Sequence, residues 1–236
     1  MKRKALLIGN SRGLTGVQID LDNFESFLHS NEGGAWNLDE ITVLPNATNK
    51  QLNLAIESIR ESQADYCIVY FSGHGGFERQ TILELADESL INENELHHLS
   101  TRQLTIFDCC RYQEERVIFE SANASLESFE ISDSNREYYR KKYDERILKA
   151  IPQQARLYSC SIGEISNDTP EGGIYTKALL ELKGITQTVG EAHSKAVEIV
   201  NSSWNIFQEK REDKQNPDAI LPKCFTFQQL IISQEV

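Results

Sequence analysis

Long apolar runs are missing from this 236-residue chain. None approaches the roughly 20 residues that a bilayer-spanning helix requires, so no membrane partner is expected. After the basic start Met1-Lys2-Arg3-Lys4, the apolar stretch runs only from Ala5 to Ile8 before Gly9. That is too short for the core of a signal peptide, and the expectation is a first strand in a cytoplasmic protein. Basic residues are outnumbered: 24 Lys and Arg stand against 36 Asp and Glu, a net charge of −12. An acidic surface argues against nucleic acid as the main ligand and gives no support to docking on anionic membranes. Cysteines are few, at 67, 109, 110, 160 and 224, with no CxxC spacing and no His at metal-ligand offsets. Neither a metal site nor any cofactor is expected. The adjacent pair Cys109-Cys110 makes a poor structural disulfide and suits a reducing compartment, while Cys67 and Cys224 read as small core residues. Also absent are G-x-S-x-G, a Walker A loop and a strand-following G-x-G-x-x-G. Their absence counts against common α/β hydrolases and nucleotide-binding domains.

What is present is an alternation. Hydrophobic residues make up 39% of the chain, enough for a core. Strand patterns at 4–9 and 40–44 alternate with helical spacing at Ile19, Leu21, Phe24, Phe27 and Leu28, and at Leu52, Leu54, Ile56 and Ile59. Thr48 and Asn49 offer N-caps for the second helix. Further strands are expected up to Phe71, before Asp108, over 155–160 and over 223–227. Short hairpin and helix patterns cover 81–99, and longer helices run over 175–182 and 189–207. No internal repeat is visible. Strands alternating with helices predict one domain over 1–236, α/β in class, with a mainly parallel sheet covered by helices on both faces.

Two of the strands end in reactive chemistry. Tyr66-Cys67-Ile68-Val69-Tyr70-Phe71 runs into Ser72-Gly73-His74-Gly75-Gly76, and Leu104-Thr105-Ile106-Phe107 runs into Asp108-Cys109-Cys110-Arg111. Parallel strands present their carboxyl ends to one crevice. A His and a Cys delivered there could form a nucleophile–base pair. His29, His97, His98 and His193 have no motif around them and are expected at the surface.

These residues resemble a known family. Ser72-Gly73-His74-Gly75 and Asp108-Cys109-Cys110-Arg111 look like the His and Cys motifs of the caspase-like cysteine peptidases, the clan of caspases and metacaspases. The metacaspase motif Asp-Ser-Cys-His-Ser-Gly and the caspase motif Gln-Ala-Cys-Arg-Gly both place the nucleophile on Cys110. Lys4 to Asn10 is similar to the family's first strand, and Gly172-Gly173-Ile174-Tyr175-Thr176-Lys177-Ala178-Leu179 to its Gly-x-Phe-Thr-x-Ala-Leu helix start. The resemblance covers residues 4 to about 182 and implies a caspase-like three-layer sandwich.

The activity implied is endopeptidase cleavage of protein or peptide substrates. A thiol with a pKa of about 8.5 is only a few per cent thiolate at neutral pH, so His74 would act as base and then protonate the leaving amine. The N–H groups of Gly75 and Cys110 could form an oxyanion hole. Strand alternation turns Cys109 the other way, into the core. Leu14-Thr15-Gly16-Val17-Gln18-Ile19-Asp20 resembles the metacaspase segment whose final Asp lines a pocket for a basic residue. Cleavage after Arg or Lys is thus implied, with Asp20 as the pocket acid and Glu164, in a segment similar to one supplying a second acid, as its companion. The caspases instead use an Arg near this stretch to bind an acidic residue, and Arg12 keeps that option open. The glycine usual just past the cysteine is replaced by Tyr112 and Gln113, so a catalytically inactive binding module stays as the alternative.

Residues 112–150 read as a charged insertion, acidic first and then a helix over 137–149 rich in Arg, Lys and Tyr. Such segments inside compact domains tend to be functional or disordered. Its basic residues make self-processing chemically plausible, and an activating protein partner and a stress or defence pathway are implied by the resemblance. Ca²⁺ binding has no EF-hand spacing behind it.

Overall fold

The computed structural model describes residues 1–112, 135–181, 184–206 and 215–236. The acidic half of the expected insertion, with Arg116, and the end of the last expected helix at Phe207 lie outside the described residues. In chain order the first half comprises β1 (Arg3–Gly9), α1 (Val17–His29), β2 (Ile41–Leu44), α2 (Asn49–Ser62), β3 (Tyr66–Ser72), β4 (Gly75–Phe77), β5 (Thr81–Glu84), β6 (Leu90–Asn92) and β7 (Arg102–Asp108). The second half comprises α3 (Arg136–Lys149), β8 (Gln153–Tyr158), β9 (Asp168–Thr169), β10 (Gly172–Gly173), α4 (Ile174–Glu181), β11 (Gln187–Thr188), α5 (Val189–Ile206), β12 (Asp218–Ile220) and β13 (Ile231–Ser233).

Six strands form the central sheet in the order β12-β8-β7-β3-β1-β2. All neighbours are parallel except β12, which runs antiparallel to β8. The chain moves outward from β1 to β2, then returns to lay β3, β7 and β8 on the other side. That reversal makes β1 and β3 a topological switch point, where ligand crevices form in open α/β sheets. The strands are apolar on both faces because each face is covered. One face packs Leu7, Tyr70 and Ile106 against Leu21 and Phe24 of α1 and Tyr143 and Ile147 of α3. The other packs Leu6, Val69 and Phe71 against Leu52, Ile56 and Ile59 of α2. Thr48 caps α2 as its sequence predicts, accepting the Gln51 amide while the Gln51 side chain accepts the Thr48 N–H.

Helix α3 is built into the core rather than laid on it. Tyr143 and Ile147 are fully buried. Arg140 Nη1 donates to Glu40 at 2.7 Å, and Arg136 donates to the carbonyls of His29 and Trp36. Arg3 of β1 is also buried, stacked over the Trp36 ring and donating to Asp144 of α3 at 3.0 Å. A buried guanidinium is tolerable only with partners of this kind.

Three expectations need correction. Residues 223–227 form no strand; the edge partner of β8 is 218–220, and Phe225 and Phe227 are 71% and 69% exposed, stacked on each other. Cys224 is accordingly only half-buried. His29 is buried with Nδ1 on the Trp36 carbonyl, and His193 pairs with the Tyr175 hydroxyl at 2.8 Å, so neither is a surface histidine. His97 is half-buried, and burial lowers its pKa to about 4.

Candidate active site

A small cleft opens where β1, β3, β7 and β8 end. It is lined by Leu14, Val17, Asp20, His74, Cys110 and Ser166 among others, with a volume of about 40 Å³. Two glycines set its geometry. A Cβ on Gly75 would sit 2.8 Å from Cys109 Sγ and 2.9 Å from the Cys110 carbonyl, so only glycine lets β4 close on the cysteine turn. A Cβ on Gly173 would strike Asp108 Oδ2 and sit 3.1 Å from Asp20 Oδ2.

His74 follows β3 and Cys110 follows β7, and both line this cleft. His74 Nε2 lies 2.5 Å from the Arg12 carbonyl oxygen. A carbonyl oxygen can only accept, so Nε2 carries a ring proton, and the nitrogen free to hold a lone pair is Nδ1. Cys110 Sγ accepts the Ser166 N–H at 3.4 Å. Cys109 turns inward as strand alternation predicts; it is 1% exposed, and burial pushes its thiol well up. Burial raises Cys160 in the same way. An inert pair of buried thiols thus flanks a half-exposed Cys110.

The floor of the cleft is acidic. Asp20 sits on the buried face of α1, one position before Leu21 and one turn from Phe24, and is 2% exposed. Its carboxylate accepts the Ser72 hydroxyl at 2.8 Å and the Gly173 N–H at 2.9 Å. Asp108 accepts the Thr176 hydroxyl at 2.6 Å and the Ser166 hydroxyl at 2.6 Å. Burial first, and then the Asp108 charge, push the Asp20 carboxyl well above the usual range. Asp168 accepts the Gly16 N–H at 3.0 Å and is likewise raised, mainly by burial.

Two residues singled out in the sequence sit elsewhere. The Glu164 carboxylate is taken up by the N–H groups of Asn216 at 2.7 Å and Ser161 at 3.2 Å, and Glu164 is not among the lining residues. The Arg12 guanidinium pairs with Glu88 at 2.8 Å and Glu84 at 3.5 Å; its contribution to the site is its carbonyl. Sequence reasoning missed Asp108, Asp168 and Ser166 as cleft residues. Asp108 stood inside the cysteine motif without a role, whereas nothing around Asp168 or Ser166 signals that the loop folds back over the cleft.

A family model for the caspase domain matches residues 2–223. The chain belongs to the caspase family. No curated protein matches it. Among solved structures, caspase-1 from Spodoptera frugiperda superposes with a TM-score of 0.60 at 16% identity, over 92% of this chain and 85% of that one. A Geobacter sulfurreducens protein superposes with a TM-score of 0.58, also at 16% identity, over 100% of this chain and 98% of that one. At such identity these neighbours establish the caspase fold, and family membership supports a caspase-like peptidase acting on protein or peptide substrates. No helix among the described residues is long and apolar enough to cross a membrane.

Proposed function

We propose that this caspase-family chain is a cysteine endopeptidase that cleaves after Arg or Lys, with Cys110 as nucleophile and His74 as base. The observation that carries the reading is the meeting of His74, Cys110 and two buried carboxylates, Asp20 and Asp108, in one cleft. In this scheme His74 Nδ1 takes the Cys110 proton, and Sγ forms a bond to the scissile carbonyl carbon. The N–H groups of Gly75 and Cys110 hold the resulting oxyanion. Collapse breaks the C–N bond as the imidazolium protonates the amine. Water, deprotonated by His74, then attacks the thioester, the C–S bond breaks and the acid leaves.

Two carboxylates at the cleft floor suit a guanidinium or ammonium better than an acidic side chain. With the Arg12 guanidinium turned to Glu84 and Glu88, an acid-binding pocket has no described cation to serve it. At about 40 Å³ the cleft has room for a water and little more, so a substrate side chain enters only as the 166–168 segment gives way. That closed state fits a peptidase awaiting activation by a protein partner, and a cytoplasmic stress or defence setting rests on the family resemblance. It is equally the state expected of the second reading, an inactive binding module. A thiol-reactive Arg peptide probe separates them: covalent labelling of wild type but not of Cys110→Ala supports the peptidase, and no labelling supports the binding module.

A further inference from the structure

Gln215 is 2% exposed and lies just ahead of the edge strand β12. Its side chain uses every hydrogen-bonding capacity it has. Oε1 accepts the Asn167 main-chain N–H at 3.1 Å and the Asn167 side-chain amide at 2.9 Å. Nε2 donates to the Ser159 carbonyl at 2.9 Å and to Ser166 Oγ at 3.3 Å. A primary amide offers two acceptor and two donor positions, and all four are filled. No group of this chain that the reaction uses is bonded to Gln215 directly.

The segment it grips does touch the nucleophile. The Ser166 N–H points at Cys110 Sγ from 3.4 Å, the shorter of two contacts between them; in the other the thiol donates to the Ser166 carbonyl at 3.8 Å. A donor aimed at sulfur favours thiolate over thiol, because hydrogen bonds to an ionised acceptor are about twice as strong as neutral ones. That preference depends on where the amide is held, and residues 159–167 are irregular backbone beyond the end of β8. Within this segment Glu164 bonds to Asn216, which fixes the outer part of the loop. Gln215 ties Asn167 and Ser166 back to Ser159, next to the sheet, and the Ser166 hydroxyl is held separately by Asp108 at the end of β7.

We propose that Gln215 is a positioning residue, holding the Ser166 amide against the Cys110 sulfur so that the nucleophile ionises in place. The proposal rests on Cys110 being the nucleophile. Gln215→Met keeps the volume and removes all four bonds. The readout is the rate of Cys110 alkylation by iodoacetamide against pH, with Cys110→Ala as the background, beside kcat and KM on an Arg peptide. Gln215→Met is expected to move the half-maximal alkylation pH up by about one unit and to lower kcat about tenfold with KM little changed. A folded Gln215→Met with the wild-type alkylation profile overturns the proposal. Should that variant not fold, hydrogen exchange on the wild type decides. The Ser166 and Asn167 amides are expected to be protected, with Ser166 released in Cys110→Ala, and unprotected exchange in the wild type overturns the proposal. Alkylation needs no turnover. A peptidase activity that survives Cys110→Ala therefore refutes the nucleophile assignment without deciding the Gln215 contact, which the alkylation profile still reads.

Discussion

His74 Nε2 and the Arg12 carbonyl oxygen stand 2.5 Å apart, and this one contact fixes which ring nitrogen can act as a base. With a proton on Nε2, Nδ1 is the nitrogen that the proposed dyad would turn on the thiol of Cys110. His74→Ala and Cys110→Ala are each expected to lower kcat by about a thousandfold or more, because the covalent route is lost. Cys109→Ala, which alters a buried thiol behind the site, should stay within about tenfold of wild type. Steady-state kinetics on an Arg peptide, with melting curves as the folding control, test both. Full activity in Cys110→Ala refutes the dyad.

Pocket charge makes a separate prediction. Losing one partner of a buried charge pair costs about 2–5 kcal/mol, so Asp20→Ala should lower kcat/KM on Arg and Lys substrates by roughly thirtyfold or more. A peptide library read out by mass spectrometry gives the cleavage preference directly. Preference for Asp at the cleaved position would overturn the basic-pocket reading.

The same carboxyl makes stability depend on pH. Burial and the Asp108 charge raise the folded-state pKa of Asp20, so the native protein binds a proton there more tightly than the unfolded chain does. The stability associated with that proton is fully present below about pH 4 and is lost as pH rises toward the folded-state value. Asp20→Asn removes the titration. The melting temperature of Asp20→Asn minus that of wild type should therefore grow as pH is raised from about 4 to 8. A difference that stays flat across the range contradicts the assignment. Substrate binding carries a matching sign: a guanidinium is held by the ionised acid, so KM for Arg peptides should fall over the same rise in pH.

Much of this was legible in the sequence. Five apolar segments marked β1, β2, β3, β7 and β8, and the polar residues terminating two of them marked the strand ends that meet at the cleft. Asp20 was singled out through the family motif alone; its place on the buried face of α1 is what the structure adds. The edge strand was not legible, because Asp218-Ala219-Ile220 is three residues long and mixed in character, while the more apolar Phe225 and Phe227 drew the strand assignment and turn out to be exposed. Asp168 and Gln215 were invisible because their roles depend on loop contacts spanning 152 and 48 residues of sequence, which no local pattern encodes.

Self-processing can now be confined. Arg136 and Arg140 are engaged with the Trp36 carbonyl and Glu40, so a cut after either requires α3 to unravel. Between 113 and 134 the sequence has a single basic residue, Arg116. If the chain processes itself, intact-mass spectra of wild type should show a fragment ending at Arg116 that is absent from Cys110→Ala. Cleavage at Arg136 or Arg140 in a folded sample contradicts this account of α3.

A nick there would not divide the molecule. The segments on either side of it supply β7 and β8, which lie side by side in register from Arg102 opposite Gln153 to Phe107 opposite Tyr158. Arg3, near the beginning of one fragment, is bonded to Asp144 in the other. Covalent continuity and structural integrity are thus uncoupled between residues 112 and 135. A processed sample would run as two bands under denaturing conditions and as one undivided particle in native buffer, with each fragment serving as the other's template.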